Sequence, residues 1–378
     1  MSSRSVIKPG ATIGVLGGGQ LGRMMALAGR ASGYRFATLD PTEDCPCAQV
    51  SDTHIATGYD DVAGALKLAQ TSDVITYEFE NVDANVAAVL EERSYVPQGS
   101  ELLRITQNRI REKSTLASFS IPVAPFRVIE SEKAAKAAVQ ELGIPAVMKT
   151  ATGGYDGKGQ YVIRKQEEAA IAYRELSQAG VDLIIEQFIP FTKEVSVIAA
   201  RSVSGEVRIF PVAENEHREN ILHMSIVPAR IERDVAERAE ELAQRIAEKL
   251  QVVGLIAVEM FVTEDGQVLV NELAPRPHNS GHYTMDACIT SQFEQHIRAI
   301  CDLPLGDTSL LSPVVMVNIL GEHLAPVLDK IEKLPRSAKL HLYGKKDSKP
   351  KRKMGHINVL AESVEAALHD IEAISIWE

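Results

Sequence analysis

The sequence predicts an α/β protein that begins with a doubly wound parallel sheet and continues with more antiparallel, α+β segments. Strand-like and helical runs alternate up to about residue 103, which is typical of parallel sheets with helices on both faces. From Lys193 onwards the strand-like runs are longer and favour antiparallel pairing. Because 378 residues suffice for two or three domains, we expect domains at 1–103, 104–304 and 305–378.

Each predicted element has its own signal. The first segment contains, in order, the strand "ATIGVLGG", the helix "GQLGRMMALAGRASG" ending at Gly33, the strand "YRFATLD", the helix "DVAGALKLAQ", the strand "SDVITYE" and the helix "NVAAVLEERS". The second segment contains the strands "IPAVMKT", "QYVIRK" and "LIIEQFIP" and the helices "SEKAAKAAVQELG" and "EEAAIAYRELSQAG". The long helix "DVAERAEELAQRIAEKL" then precedes a hairpin, and we expect only short strands in the last seventy residues.

Composition and charge exclude several classes of protein. A formal net charge of −11 argues against nucleic-acid binding. The sequence contains no run of about 18 apolar residues, which argues against a membrane span. The N-terminal stretch lacks the apolar core of a signal peptide. The four cysteines, Cys45, Cys47, Cys288 and Cys301, show no zinc or redox spacing. We therefore expect a cytoplasmic protein with reduced thiols and small-molecule substrates.

Two glutamates face each other across the predicted hairpin. A two-residue turn centred on Asp265-Gly266 pairs Glu259 with Glu272, which places their Cβ atoms about 4.5–5.5 Å apart. The two carboxylates repel each other, and a divalent cation between them removes that repulsion. A solvent-facing pair explains the same spacing, so these residues alone leave both interpretations open.

The N-terminal glycines allow more than one interpretation. Gly17, Gly19 and Gly22 fit the pattern G-x-G-x-x-G between a strand and a helix, and Asp40 ends the next strand. This arrangement is found in nicotinamide-dependent oxidoreductases. The same glycines also expose a helix N-terminus to any phosphate or carboxylate, or serve only as a tight turn.

A second glycine-rich stretch, "KTATGGYDGKGQYVI", joins two predicted strands. Lys158 is followed by Gly159 and a strand, whereas a Walker P-loop would need a helix to begin there. The backbone N–H groups of a flexible flap at 152–160 can wrap a polyphosphate, with Lys149 and Lys158 neutralising its charge. A surface loop with incidental lysines is the alternative.

Three motifs occur in the order typical of the ATP-grasp superfamily, which this chain resembles over most of its length. They are "PAVMKT" with "GGYDGKG", "LIIEQFIPFTKEVSV" and "GLIAVEMFVTEDGQVLVNELAPRPHNSGH". Within the superfamily, "GVLGGGQLGRMMALAG", "ITYEFENV" and "KPKRKMGHINV" are similar to the 5-(carboxyamino)imidazole ribonucleotide synthetases, ATP-dependent carboxylases of purine synthesis. The resemblance implies an ATP-grasp fold with an N-terminal pre-ATP-grasp domain, a flap at about 120–190 and a small C-terminal domain. It also implies ATP and Mg²⁺ (or Mn²⁺) as cofactors, a homodimer, and transfer of the product to a downstream mutase.

The resemblance also assigns residues to each ligand. It implies an ATP site formed by Arg109, Lys149, Gly154, Tyr155, Asp156, Gly157, Lys158, Gly159, Gln160, Glu186, Gln187, Phe188, Ile189, Glu194, His217, Asn271 and Glu272. It implies that aminoimidazole ribonucleotide and bicarbonate are bound by Gln20, Glu78, Tyr155, Arg276, Lys346 and Arg352. Of these it assigns catalysis to Arg276, Lys346 and Arg352, and it assigns the metal to Glu259 and Glu272.

One position departs from the superfamily pattern. Ala274 stands where many ATP-grasp enzymes have a second-site asparagine, so Asn271 is the candidate for that role. In a regular strand, however, the Asn271 side chain would point to the face opposite Glu272.

Other features leave the substrate open. A formate-dependent glycinamide ribonucleotide transformylase would keep the nucleotide site and change the acyl donor. The basic stretch from Lys345 to Lys353 fits a substrate phosphate, although a solvated loop explains it too. His278 and His282 have a zinc-like spacing, but Pro275 and Pro277 argue against a helix there, so we interpret both histidines as site-lining or structural.

Overall fold

The computed structural model describes residues 6–154 and 158–377, so the predicted flap residues Tyr155, Asp156 and Gly157 lie outside the described residues. The described part of the chain forms three β-sheets with helices packed on them. None of its helices is long and apolar enough to span a membrane. The predicted α/β class, with an N-terminal parallel sheet, is confirmed.

The first sheet is parallel, with strand order β3-β2-β1-β4. Its strands are β1 (Thr12–Leu16), β2 (Arg35–Leu39), β3 (Thr53–Ile55) and β4 (Val74–Tyr77). The helices of this part of the chain are α1 (Gln20–Ala31), α2 (Val62–Gln70), α3 (Ala84–Arg93), α4 (Glu101–Thr106) and α5 (Arg109–Ser118). One face of the sheet packs on α1 and the other on α2 and α3, which confirms the doubly wound arrangement.

A small antiparallel sheet follows, and we call it the flap sheet. Its strands are β5 (Phe126–Ile129), β6 (Ala146–Thr150), β7 (Gln160–Ile163) and β8 (Leu183–Gln187), in the order β5-β8-β6-β7. Two helices pack against it, α6 (Glu132–Leu142) and α7 (Glu168–Leu176). The predicted flap loop joins β6 to β7, so it lies at the edge of this sheet.

The large sheet has nine antiparallel strands. Its first strands are β9 (Phe191–Arg201), β10 (Val207–Ile209), β11 (Ala213–Arg218), β12 (Ile221–Val227), β13 (Gly254–Thr263) and β14 (Val268–Ala274). The helix α8 (Arg233–Lys249) covers one face, while α9 (Thr284–Ala287) and α10 (Gln292–Ile300) lead out of the sheet. The hydrophobic core of the protein is centred on β9 and β13, whose inward side chains are fully buried.

The C-terminal segment extends the same sheet, because β15 pairs with β12. This segment contains β15 (Val314–Leu320), α11 (Gly321–Asp329), β16 (Ala338–Leu342), β17 (Lys353–Leu360) and α12 (Val364–Ile374). The sequence analysis predicted neither helix. Pro326 lies inside α11 and interrupts its helical pattern. Helix α12 has an ordinary N-cap at Ser363, which the prediction missed. The domain boundaries at 103 and 304 stay predictions.

The turn of the central hairpin differs from the one predicted. Thr263 N donates to Gln267 O at 3.0 Å, and Gly266 N donates to Thr263 O at 3.0 Å. Three residues therefore form the loop, and Gly266 adopts the left-handed conformation with φ of +77°. The two-residue turn at Asp265-Gly266 was wrong, and near the turn the strand register is offset by one residue.

Candidate active site

A cleft of about 500 Å³ lies between the flap sheet and the large sheet. The flap sheet contributes Val147, Lys149, Gln160, Val162, Glu186 and Gln187 to its walls. The large sheet contributes Glu194, His217, Glu259, Phe261, Asn271 and Glu272. The cleft is therefore lined from two separate sheets, which lie on either side of it.

One end of the cleft is apolar. Phe191 and Phe261 stack with ring centroids 4.5 Å apart and planes 7° apart, and Val147 and Val162 lie on the flap side. The chain at Phe188 is fixed by a hydrogen bond from its N–H to Pro145 O at 3.2 Å. Apolar walls of this kind suit a flat heterocyclic base.

A β-bulge shapes the opposite, polar end. Met260 pairs with Val270 and Glu259 pairs with Glu272, so Asn271 is the extra residue of its strand. The bulge restores the register lost at the turn, which confirms that Glu259 faces Glu272. The bulge also interrupts the regular alternation of side chains along the strand, and Asn271 and Glu272 both line the cleft. The expectation that Asn271 points to the opposite face was wrong.

The three oxygen-bearing side chains at the bulge suit a hard divalent cation. Asn271 Oδ1 is buried and has no hydrogen-bond partner among the described residues. Glu259 accepts from His278 Nε2 at 3.0 Å and Glu272 pairs with Arg109 at 3.0 Å. Among the described residues no three acidic, histidine or cysteine side chains converge on one point. Mg²⁺ needs only one or two carboxylates when phosphates and water complete its shell, so the residues fit it.

A buried ion-pair network joins the flap sheet to α5 beside the cleft. Glu186 is 3% exposed, and its carboxylate pairs with Lys149 at 3.0 Å and with Lys113 at 3.3 Å. Burial alone would raise the pKa of Glu186, but the charges of Lys113 and Lys149 outweigh it and lower that pKa. Burial lowers the pKa of Lys149 in spite of its partner Glu186. The carboxylate of Glu186 and the ammonium groups paired with it thus stabilise each other in their charged forms.

The start of α5 carries Lys113 of this network and two further charged residues, Arg109 and Glu112, that contact the bulge strand. Asn108 caps the helix by accepting from the N–H groups of Ile110 and Arg111, which fixes the turn. At helical spacing, Arg109 reaches Glu272 and Lys113 donates to Asn271 O at 3.4 Å. Helix α5 therefore connects the flap sheet to the bulge.

Glu112, on the same turn, holds the strand beyond the bulge. Its Oε2 accepts from Leu273 N at 3.1 Å, and its side chain is buried. Burial, and then the charge of Glu272, raises the pKa of Glu112 to about 8. A protonated Glu112 fits this position, because it avoids a third carboxylate charge beside Glu272.

Two further pairs orient groups at the polar end. Arg276 donates from Nε to Glu80, which follows β4 of the N-terminal sheet. Burial would raise the pKa of Glu80, but the charge and hydrogen bond of Arg276 hold it at about 2. The buried side chain of Gln292 bonds both the N–H and the carbonyl of His278, at 2.9 and 2.8 Å. Arg276 is therefore held by Glu80, which also lines the cleft, and His278 is held by Gln292, which does not.

A histidine–carboxylate pair lies on one side wall. His217 Nδ1 is in contact with Glu194, and burial, which would lower the pKa of His217, is outweighed by Glu194 so that this pKa rises. A partly exposed carboxylate at this point can accept hydrogen bonds from hydroxyl groups.

The glycine-rich N-terminal loop surrounds an internal carboxylate. Glu78 accepts from the N–H of Gly19 and, at 2.6 Å, from the N–H of Gly22. Gly17 has φ of +111°, and a Cβ there would lie 2.4 Å from Glu78 Cγ. The donors that would bind a dinucleotide phosphate are therefore already used. Asp40, likewise, accepts from Gly18 N at 2.9 Å and from Tyr59, which argues against the oxidoreductase interpretation.

The C-terminal basic stretch meets this carboxylate. Lys345 Nζ donates to Lys353 O at 2.8 Å and lies 5.7 Å from the centre of the Tyr343 ring. Burial, followed by the charge of Arg352, lowers the pKa of Lys345 to about 8, while Glu78 opposes this. Gln49 bonds to Gly344 O at 2.9 Å, so the stretch is fixed against the N-terminal domain.

The structure brings most of the predicted residues together. The following predicted ATP-site and metal residues line the cleft: Arg109, Lys149, Gly154, Lys158, Gln160, Glu186, Gln187, Phe188, Ile189, Glu194, His217, Glu259, Asn271 and Glu272. Arg276 lines it too, whereas Gly159 lies beside it in the flap. Gln20 begins α1 near Glu78, away from this cleft. Lys346 and Arg352 are exposed on the C-terminal loop.

Sequence reasoning missed four residues that hold the site. Glu80 lies within the motif "ITYEFENV", two positions after the predicted site residue Glu78. This spacing could have identified Glu80 as a second site residue. Lys113 and Glu112 resemble the solvated charges of an exposed helix and gave no signal. Lys353 lines the cleft, but in the sequence it is one of many basic residues.

Comparison with known families agrees with this architecture. Residues 10–107 match the ribonucleotide synthetase preATP-grasp domain, and residues 114–293 match the ATP-grasp domain. Residues 314–370 match the phosphoribosylaminoimidazole carboxylase C-terminal domain. The fold and the cleft thus define an ATP-grasp protein with an N-terminal pre-ATP-grasp domain.

Individual relatives narrow the class. The N5-carboxyaminoimidazole ribonucleotide synthase of Bacillus subtilis (strain 168) is 51% identical over 369 residues, which cover 98% of this chain and 96% of the relative. A crystal structure of an N5-carboxyaminoimidazole ribonucleotide synthetase with ADP is 55% identical, with a TM-score of 0.95 over 98% of each chain. The Aspergillus clavatus enzyme with ADP and 5-aminoimidazole ribonucleotide is 31% identical, with a TM-score of 0.89 over 97% of each chain. The chain belongs to the N5-carboxyaminoimidazole ribonucleotide synthase family.

The buried Glu78 predicts a pH dependence of stability. Burial raises its pKa from 4.5 to about 7, so the folded state binds this proton more tightly than the unfolded state. The stabilising contribution is complete below pH 4.5 and is lost as the pH rises through 7. Relative to Glu78→Gln, the wild-type free energy of unfolding should fall by on the order of 3 kcal/mol over this window, measured by urea unfolding.

The exposed Glu92, on α3, provides the control. Glu92→Gln should follow the wild-type pH profile. A difference between wild type and Glu78→Gln that stays constant from pH 4.5 to pH 8 would contradict the assignment.

Proposed function

We propose that this chain uses ATP and bicarbonate to carboxylate 5-aminoimidazole ribonucleotide in purine synthesis. The products are 5-(carboxyamino)imidazole ribonucleotide, ADP and phosphate. The observation that carries the proposal is the facing pair Glu259 and Glu272 at the phosphate end of the cleft, with Lys149 and Arg109 beside it. Membership of the family, and the ligands of the Aspergillus clavatus enzyme, support it.

The cleft accommodates ATP in one direction. The base fits the apolar end beside Phe188, and the ribose hydroxyls fit the carboxylate of Glu194. The phosphates then extend toward Lys149 and Arg109, whose charges neutralise them. The flap residues Lys158 and Gly159 lie next to that path, and contacts by Tyr155, Asp156 and Gly157 stay predictions.

Glu259, Glu272 and Asn271 are the residues that would hold Mg²⁺, or Mn²⁺ in its place. The cation would neutralise phosphate charge during transfer. The role of the chain is to keep these oxygen atoms on one face, which the bulge achieves, and to keep the Glu259 carboxylate ionised. Burial alone would raise the pKa of Glu259, but the hydrogen bond from His278 outweighs it and lowers that pKa to about 2.

Bicarbonate must be activated, because its carbon already carries anionic oxygens. Attack of a bicarbonate oxygen on the γ-phosphorus of ATP forms carboxyphosphate and releases ADP. Arg276 is suited to bind bicarbonate, since a guanidinium holds a planar carbonate through two hydrogen bonds. Glu80 holds the Arg276 side chain in the cleft.

The carbon then passes to the amine. The bond between the carboxyl carbon and the phosphate oxygen breaks, giving CO₂ and phosphate. The exocyclic amine of the aminoimidazole attacks CO₂ and forms the new N–C bond. The departing phosphate accepts the amine proton, so no protein base is required.

The aminoimidazole ribonucleotide fits between the cleft and the glycine-rich loop. Glu78 and Glu80 are two residues apart, and Glu80 reaches Arg276 while Glu78 lies at the N-terminus of α1. Gln20 lies on that helix end, and Lys345 with Arg352 provides positive charge for a 5′-phosphate. We include Lys346 in this role on the family resemblance alone.

The same resemblance implies a homodimer and transfer of the product to a downstream mutase, and the unpatterned cysteines favour a cytoplasmic location. We propose all three. Transfer is chemically reasonable, because an N-carboxylated amine readily loses CO₂ in water. None of the three enters the mechanism above.

The proposal is tested by ADP release from the purified protein with MgATP, bicarbonate and 5-aminoimidazole ribonucleotide, each omitted in turn. We expect turnover only when all three are present. A parallel reaction with formate and glycinamide ribonucleotide should give none. Turnover in that reaction alone would retain the ATP site and overturn the substrate assignment.

Glu272 gives a sharper prediction. Glu272→Ala should lower kcat/KM roughly 100-fold, because it removes a carboxylate from the phosphate end and leaves Arg109 unpaired. It should also remove the Mg²⁺ dependence of ADP affinity in calorimetry.

The control is Glu264→Ala, which changes an exposed glutamate in the loop of the same hairpin. We expect wild-type kinetics for this variant. If Glu272→Ala retained both the turnover and the Mg²⁺ dependence of wild type, the metal assignment would be wrong.

A further inference from the structure

A second cavity, of about 320 Å³, lies behind the turn that joins β11 to β12. Asn220 of this turn faces the nucleotide cleft, whereas Arg218 faces the second cavity. Leu222 lines both cavities, so they share one wall. No predicted site residue within 6–154 and 158–377 lines the second cavity, and the proposed reaction does not use it.

Two buried polar atoms line this cavity without a partner. His223 is 5% exposed and Asn318 is 1% exposed. His223 Nε2 and Asn318 Oδ1 have no hydrogen-bond partner among the residues that the structure describes. Leaving two such atoms unpaired costs free energy, so hydrogen bonds from a ligand to both atoms would make its binding free energy more favourable.

Local backbone geometry creates this arrangement. Glu216 pairs with Met224 and His217 pairs with Leu222, so His223 is the extra residue of a β-bulge. Asn318 Nδ2 donates to Leu222 O at 2.8 Å, which fixes the amide and directs Oδ1 away from the sheet bonds. Bulges commonly redirect a side chain toward a site.

The remaining wall is aromatic and apolar. Trp377 donates from Nε1 to Asn318 O at 3.0 Å, so its ring is held in place beside the two unpaired atoms. Ile221 and Leu320 line the same cavity. A fixed indole ring next to two hydrogen-bonding atoms suits a flat, nitrogen-rich ring.

The charges at the mouth sum to zero, because two cations, Arg218 and Lys351, and two carboxylates, Glu219 and Glu322, line it. Arg218 donates to Trp377 O, and Lys351 pairs with Glu219 at 2.7 Å. Glu322 accepts from the N–H of Lys351 at 2.7 Å. Burial lowers the pKa of His223 to about 4, so its imidazole is neutral. These observations favour a neutral ligand over an anion.

We propose that this cavity is a second ligand site, which binds a neutral, planar nitrogen heterocycle of nucleobase size. The ring lies against Trp377, an N–H of the ligand donates to Asn318 Oδ1, and a second polar atom pairs with His223 Nε2. The volume agrees, because it lies at the lower end of the range for small-molecule pockets.

Trp377 provides the assay, because it is the only tryptophan in the sequence. Adenine is titrated into the full-length protein saturated with ADP, so that the nucleotide cleft is filled, and tryptophan emission is recorded. We expect a saturable change in emission. A cavity that holds only water would give no saturable change, and this result would overturn the proposal.

Variants locate the binding. His223→Leu should weaken adenine binding about tenfold, which corresponds to about 1.4 kcal/mol. His369→Leu, at an exposed position on α12, should bind adenine as wild type does. Equal affinity of His223→Leu and wild type would place the adenine elsewhere and overturn the proposal.

A cavity-filling variant covers the case in which His223→Leu does not fold. Leu320 is only partly buried, so Leu320→Phe can fill space in the cavity with little effect on the core. We expect this variant to lose most of the emission change. Full retention of the change in Leu320→Phe would count against the site.

Discussion

The site depends on one buried carboxylate, Glu186, and on the two lysines that neutralise it. A carboxylate that is 3% exposed is stable in its charged form only when partners replace the lost water. Lys149 comes from the flap sheet and Lys113 from α5, so the pairing ties two parts of the chain together. Removing Glu186 would leave two lysine charges without a counter-ion, and removing Lys113 would leave Glu186 with Lys149 alone, so the three residues act as a unit.

The same interaction places the polar end of the cleft. Lys113 also donates to the carbonyl of Asn271, and Arg109 on the same helical turn pairs with Glu272. The bulge that aligns Asn271 with Glu272 is therefore held from the side by α5. The charged groups of the cleft are thus held by contacts between the flap sheet, α5 and the bulge strand. This arrangement suits phosphoryl transfer, for which positioning and charge neutralisation supply most of the catalysis.

Much of this could be predicted from sequence, for identifiable reasons. Alternating strands and helices gave the parallel sheet, and ordered motifs gave the superfamily and most cleft residues. The pairing of Glu259 with Glu272 was correct although the turn was not, because the one-residue offset at Gly266 and the bulge at Asn271 cancel. A single-residue bulge leaves no trace in apolar periodicity, so the common face of Asn271 and Glu272 was not predictable from the pattern.

Other features lay beyond local sequence signals. The glycine-rich loop suggested a phosphate, yet its N–H groups bind Glu78, which is 56 residues from Gly22. Nothing within the loop distinguishes an external anion from an internal one. Lys113 gave no signal either, because a charged residue on a polar helix is usually solvated, and only the fold shows that it is buried.

The most direct test of the central claim is a double-mutant cycle between Lys113 and Glu186, read as the ADP dissociation constant by calorimetry. Lys113→Met and Glu186→Gln should each weaken ADP binding about tenfold, because the first leaves Glu186 with Lys149 alone and the second leaves both lysines without a counter-ion. The double variant should bind no more weakly than the weaker single variant. If instead the two effects multiply, the pair does not act as a unit, and the account of how this cleft is held together would be contradicted.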